Sequence, residues 1–167
     1  NGGPASTASP IELSPDEESL VQEQLSRNIS FLGQPGARKV RNSFVIVVGC
    51  GGVGSWAALM LLRSGVERIR VLDFDQVTLS SLNRHAVATR ADVGVPKVNA
   101  LKRHAREIVP HAVVDARVEL FDIEAAERLL DGKVNNCREA FFFRRCGYLY
   151  VSSSLFTLTG NPDHVLD

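Results

Sequence analysis

The apolar positions along this chain change period several times, and each change marks a predicted element. Phe44-Val45-Ile46-Val47-Val48 is an unbroken, largely β-branched run, which suits a strand buried on both faces of a parallel sheet. From Val53 the apolar residues take up helical spacing, through Trp56, Ala57, Met60, Leu61 and Leu62, until Ser64-Gly65 ends the helix. Ile69 to Asp73 predicts the next strand, Pro96 to Ile108 a second helix stopped by Pro110, and Ala112 to Val118 a third strand. Ile123 to Leu130 predicts a third helix ending at Gly132. Strand, helix, strand is a βαβ unit with an expected right-handed crossover, so the fold class is α/β with a Rossmann-like doubly wound sheet.

Upstream of that unit, Ser14-Pro15-Asp16-Glu17-Glu18 is a helix start: Ser14 caps, Pro15 takes the first helical position, and Glu17 closes a capping box. The helix is expected from about 15 to 26. Gly33, Pro35 and Gly36 then break the pattern, and a short helical turn from Ala37 to Arg41 leads into the first strand. Residues 1 to 13, rich in Gly, Pro, Ser, Thr and Ala, are expected to form a disordered linker. Residues 133 to 159 show neither helical periodicity nor regular alternation, and they gather both tyrosines and the last two cysteines.

Composition bounds the picture. The chain has 167 residues, 19 Lys+Arg against 19 Asp+Glu, 44% hydrophobic positions and 3 Cys, the profile of a soluble globular domain. Disulfide-scaffold and disordered classes are excluded. Zero net charge removes the long-range electrostatic case for sequence-independent nucleic-acid binding and leaves only a local patch. Cys50, Cys137 and Cys146 form no CxxC, and His85, His104, His111 and His164 are not spaced as a metal site, so no metal centre is assigned. Cys50 is expected to pack rather than react, and His104, with Lys102, Arg103 and Arg106, to decorate a solvated helix face. No run of about 18 apolar residues exists, and the first residues lack signal-peptide character. The sequence starts at Asn1 rather than Met, which leaves room for an upstream segment.

Gly49-Cys50-Gly51-Gly52-Val53-Gly54 matches G-x-G-x-x-G directly after a buried strand and directly before a helix. Gly49, Gly51, Gly52 and Gly54 let the backbone turn tightly and let a phosphate approach the helix N-terminus. Asp73, at the end of the following strand, is placed to accept hydrogen bonds from ribose hydroxyls. Arg84 and Lys97 bring two cations to the phosphates, which a nicotinamide dehydrogenase has no need to place there.

The stretch from Asp73 to His85, DFDQVTLSSLNRH, followed by Val93-Gly94-Val95-Pro96-Lys97, closely resembles the ubiquitin-activating-enzyme-like, or ThiF, adenylyltransferase superfamily. Within it the chain is most similar to the fungal type of tRNA threonylcarbamoyladenosine dehydratases, over residues 20 to 131. Gln24-Leu25-Ser26-Arg27-Asn28, VIVVGCGGVGSW, Arg63-Ser64-Gly65-Val66 and VGVPKVNALKRHAREIVPHA carry the likeness. Asn83 stands where molybdopterin-synthase and thiamine-pathway adenylyltransferases commonly have Gln. The resemblance implies that ATP activates the threonylcarbamoyladenosine carboxylate as an acyl-adenylate, with pyrophosphate leaving. A carbamoyl nitrogen then closes a cyclic hydantoin and AMP leaves. It implies that Asn83, Arg84 and Lys97 hold the triphosphate and that Arg27 reaches the phosphates from a partner subunit. A homodimer, magnesium and tRNA bearing the modified base are thus the expected partners and cofactors. Fungal relatives are held at the mitochondrial outer membrane, facing the cytosol, by a segment upstream of the catalytic domain. Other readings are an adenylyltransferase for a ubiquitin-like or sulfur-carrier protein, and an inactive nucleotide-binding fragment.

The chain departs from the family after the third helix. There the family pattern passes directly to a strand like Asn161-Pro162-Asp163-His164-Val165-Leu166-Asp167. Here residues 133 to 159 intervene, and joining Gly132 or Gly160 to Asn161 restores the pattern. The domain is therefore expected to span 14 to 132, with 133 to 159 an insertion translated from a retained intron and 160 to 167 the start of the next core strand. The magnesium-binding acid is expected beyond Asp167, the fold to be truncated at its C-terminus, and the 167-residue chain to form an ATP pocket without completing the dehydration.

Overall fold

A computed structural model describes residues 11–122, Arg128, Leu129 and two further strands at 140–143 and 149–152. Helix α1 (Pro15–Gln24) starts as the sequence predicts: Glu17 N–H donates to Ser14 Oγ at 3.3 Å, and Ser14 N–H donates to Glu17 Oε2 at 3.0 Å. The expected end near residue 26 is replaced by an almost continuous second helix, α2 (Ser26–Arg41). Only Gly33 interrupts it, with φ 70° and ψ 163°, ahead of Pro35. The predicted break is thus a kink between two helical pieces.

Strand β1 (Phe44–Val48) enters the Gly49–Gly51 turn, and α3 (Gly52–Arg63) follows. The remaining elements are β2 (Arg68–Leu72), α4 (Lys97–Ile108), β3 (Val113–Arg117), β4 (Ala140–Phe143) and β5 (Leu149–Ser152). The sheet order is β3-β2-β1-β4-β5, parallel except for β5. Both β4 and β5 fall inside 133–159, where the sequence shows no periodicity. Of the helix predicted over Ile123 to Leu130, only Arg128 and Leu129 are described, and both are helical. Linker residues 1–10 lie outside the described residues.

Alternation along β1 divides the core. Val45 and Val47 face Ala58 and Leu62 of α3 and Val98, Leu101 and Ala105 of α4. Ile46 faces Leu72 and Leu129 on the other side. Val45, Ile46 and Val47 are each 1% exposed, the two-sided burial that an unbroken apolar strand requires. Because β1 and β2 pair in register, Val48 opposite Leu72, their carboxyl ends release Gly49 and Asp73 side by side. Ligands in open parallel sheets bind at that edge.

Candidate functional site

The glycine turn is built by close approach. Gly49 has φ +91°, and its N–H donates to Leu72 O at 2.7 Å, so the turn is tied to the neighbouring strand as it leaves β1. A Cβ on Gly54 would sit 1.7 Å from Gly49 O, so only glycine lets α3 start this near the strand end. A Cβ on Gly51, in contrast, would meet nothing within 4 Å. The outer side of the turn is open, next to the unpaired N–H groups of the first turn of α3.

Asp73 fixes this turn to β2. Cys50 N–H donates to Asp73 Oδ2 at 2.6 Å, and Asp75 N–H donates to Oδ1 at 2.8 Å. Each carboxylate oxygen keeps a further lone pair, so the expected ribose contact and this fastening are compatible. Cys50 is fully buried, and burial, followed by the charge of Asp73, drives its thiol pKa far upward. A buried neutral thiol packs rather than attacks, as the sequence implies.

Lys97 opens α4 and is 7% exposed. Its Nζ donates to Asp75 Oδ2 at 2.6 Å, and its backbone N–H donates to Asp75 O at 3.0 Å. Asp75 is the residue that sequence reasoning missed. The signal was the second acid of Asp73-Phe74-Asp75, but its partner is 22 positions away and only the fold brings them together. Arg84 sits across the turn, with its stem against Gly52: a Cβ there would meet Arg84 Cδ at 3.2 Å. The exposed guanidinium donates to Ser80 O at 2.8 Å and to Asn83 Oδ1 at 3.2 Å. Glycine turn, Asp73, Asn83, Arg84 and Lys97 therefore share one edge of the sheet.

Arg27 does not join them. It is exposed in the first turn of α2, next to Asn28, whose side chain donates to Ser64 O at 3.5 Å. Ser64 caps the C-terminus of α3, whereas the glycine turn lies at its N-terminus, about 18 Å away for a helix of 12 residues.

Two of the four histidines are structural. His85 is buried, and its Nδ1 accepts the N–H groups of Val87 (3.4 Å) and Ala88 (3.1 Å), folding the chain behind Arg84. Because Nδ1 accepts, its ring proton sits on Nε2, and burial, then Lys97, lower its pKa. His104 and Arg103 correct the expectation of a purely solvated helix face. Both reach the fully buried Asp92, His104 Nε2 at 3.2 Å from Oδ2, and pin the 89–95 loop to α4.

Fold and site together define a Rossmann-like α/β domain whose glycine turn is flanked by an acid and two cations. The ThiF family matches residues 25–135, and the chain belongs to that family. It is 50% identical over 116 residues to tRNA threonylcarbamoyladenosine dehydratase 2 of Saccharomyces cerevisiae, covering 70% of this chain and 26% of the yeast protein. It is 41% identical over 108 residues to tRNA threonylcarbamoyladenosine dehydratase of Bacillus subtilis, covering 65% and 42%. Among solved structures it resembles Escherichia coli tRNA N6-threonylcarbamoyladenosine dehydratase in complex with ATP, with a TM-score of 0.63 and 28% identity, over 66% of this chain and 46% of that one. The chain thus spans less than half the length of each of these relatives.

Proposed function

We propose that this chain supplies the nucleotide-binding half of an ATP-dependent tRNA threonylcarbamoyladenosine dehydratase. The observation that carries the reading is the gathering of Arg84 and Lys97 beside the glycine turn. A dinucleotide leaves those cations idle, whereas a triphosphate uses both. The open side of Gly51 and the free N–H groups of α3 fit an anionic phosphate. Asp73 fits a ribose hydroxyl. In this reading the substrate carboxylate attacks the α-phosphorus, the bond to pyrophosphate breaks, and Arg84 and Lys97 balance the charge that departs. The carbamoyl nitrogen then forms the ring bond to the acyl carbon and gives up its proton to solvent, while AMP leaves with the electron pair of the broken acyl–oxygen bond. The protein's share is positioning and charge, because an adenylate is already a good leaving group.

Magnesium would accompany the triphosphate. Among the described residues no three His, Cys, Asp or Glu gather as a metal site, so no step is assigned to it. The position of Arg27 at the far end of α3 favours its acting on the site of a second copy, the homodimer that the family resemblance implies. Placement at the mitochondrial outer membrane rests on the fungal resemblance. No helix among the described residues is long and apolar enough to cross a membrane. Asn83 favours the dehydratase over activation of a ubiquitin-like or sulfur-carrier protein.

A chimera tests the reading. The matching 116 residues of the yeast dehydratase 2 are replaced by those of this chain, in cells without their own enzymes. The nucleoside beside the anticodon is expected to appear one water lighter by mass spectrometry. A stable chimera that binds ATP and leaves the nucleoside unchanged contradicts the assignment.

A further inference from the structure

Ser55 and Trp56 follow the last glycine of the motif in α3, where the first turn passes into the second, and face the segment that carries Arg84. Ser55 is fully buried. Its hydroxyl donates to Gly51 O at 2.6 Å and accepts the Ala86 N–H at 3.0 Å. The adjacent Trp56 donates its indole Nε1–H to Arg84 O at 3.1 Å. These neighbouring residues of α3 therefore hold the backbone just after the Arg84 side chain, at the Arg84 carbonyl and the Ala86 N–H, while that side chain rests against Gly52.

The contacts of the guanidinium itself do not do this. Ser80 O and Asn83 Oδ1 both belong to the segment that carries Arg84, so they shape the arm without locating it relative to the glycine turn. The Ala86–Ser55–Gly51 relay and the indole bond are what locate it. From this geometry we propose that Ser55 and Trp56 are positioning residues that hold the Arg84 guanidinium in register with the phosphate-binding turn. The proposal rests on the reading that a nucleoside triphosphate occupies this edge.

The coupling has a selective consequence. AMP ends at the phosphate nearest the glycine turn, whereas ATP extends its outer phosphates to the cations. Loss of the Ser55 hydroxyl leaves Ala86 N–H without its partner, while Gly51 O keeps the Ser55 N–H at 3.0 Å, and so frees the Arg84 arm. ATP then loses a correctly placed cation, and AMP loses little. A purely structural role weakens both nucleotides alike.

The test titrates the purified chain with ATP and, separately, AMP, each with magnesium, for wild type, Ser55→Ala, Trp56→Phe, Arg84→Ala and the Ser55→Ala/Arg84→Ala double variant. Ser55→Ala is expected to weaken ATP about tenfold, the equivalent of one lost hydrogen bond, and AMP less than twofold. Trp56→Phe keeps an aromatic ring, removes the N–H and is expected to weaken ATP about threefold. It carries the test if Ser55→Ala fails to fold. The double variant is expected to bind ATP no more weakly than Arg84→Ala alone. Equal losses for both nucleotides, or additive losses in the double variant, overturn the proposal while leaving the ATP reading intact. A wild-type chain that binds neither nucleotide overturns that reading and the proposal with it.

Discussion

The two edges of the parallel sheet are built from the same charged residue types and put to opposite uses. At the amino edge, Arg41 donates Nη1 and Nη2 to both oxygens of Glu18, at 2.6 and 2.8 Å, and Nε to Glu67 at 2.6 Å. This closed set ties α1 and α2 to the start of β2, and Glu67 is 5% exposed. At the carboxyl edge, among the described residues, the Lys97 side chain has one partner, Asp75, and the Arg84 guanidinium only local acceptors beside an open glycine turn. A hollow of about 410 Å³ also opens at the amino edge among Glu18, Gln22, Arg38 and Arg41, so a charged hollow is not by itself the mark of the proposed site. The contrast teaches that the binding edge is recognised by charge left available beside a turn that admits a ligand. Charge and cavity together do not identify it.

Exchanging the damage between the edges should separate the two roles. Lys97→Ala is expected to weaken ATP roughly a hundredfold, as for loss of a desolvated charge partner, with a much smaller effect on unfolding; calorimetric titration and urea denaturation check both halves. Arg41→Ala is expected to do the reverse. It leaves Glu67 buried without its cation and should cost about 3 kcal/mol of stability while ATP affinity stays within twofold. A smaller effect concerns acid. Hydrogen bonds from Arg41, then Gln22, hold the Glu18 pKa down to about 2 from 4.5. Its ionised form therefore adds stability that is fully present above pH 4.5 and is lost as pH falls toward 2. Glu18→Gln should flatten that limb of the stability–pH curve and leave the neutral range little changed in slope. An unaltered acid limb would remove Glu18 from the account.

Local signals carried most of the fold and part of the site. The unbroken run Phe44–Val48, the glycine motif and the Ser14–Glu17 capping box each act over a few residues, and each appears where its pattern requires. The helical stretch from Ser26 to Leu32 was hidden because Ser, Asn and the nearby Gly33 are weak helix formers; Asn28 and the later Ala37 are held by contacts with the rest of the domain. The strands at 140–143 and 149–152 lie in the β-prone apolar run FFFRRCGYLYVSSSLF, yet their bounds and their pairing were not legible, for a related reason. A strand that adds to an existing sheet takes its hydrogen bonds from a neighbour and does not depend on alternation in its own segment. In the site, the residues inside motifs were legible, whereas Asp75 as the partner of Lys97 and Ser55 as the partner of Ala86 depend on contacts across 22 and 31 positions. Arg27 was legible as a motif residue, yet its distance from the glycine turn emerges only once α2 packs against the end of α3.

On the proposed reading, a nucleoside triphosphate occupies the carboxyl edge and leaves the amino edge untouched. Backbone amide NMR of the chain titrated with ATP and magnesium tests it most directly. Large shifts are expected at Gly49 to Ser55, Asp73 to Asp75, Arg84 and Lys97, with Glu18, Arg41 and Glu67 unmoved. Shifts centred on Glu18, Arg41 and the hollow between α1 and α2, with the glycine turn silent, would contradict it.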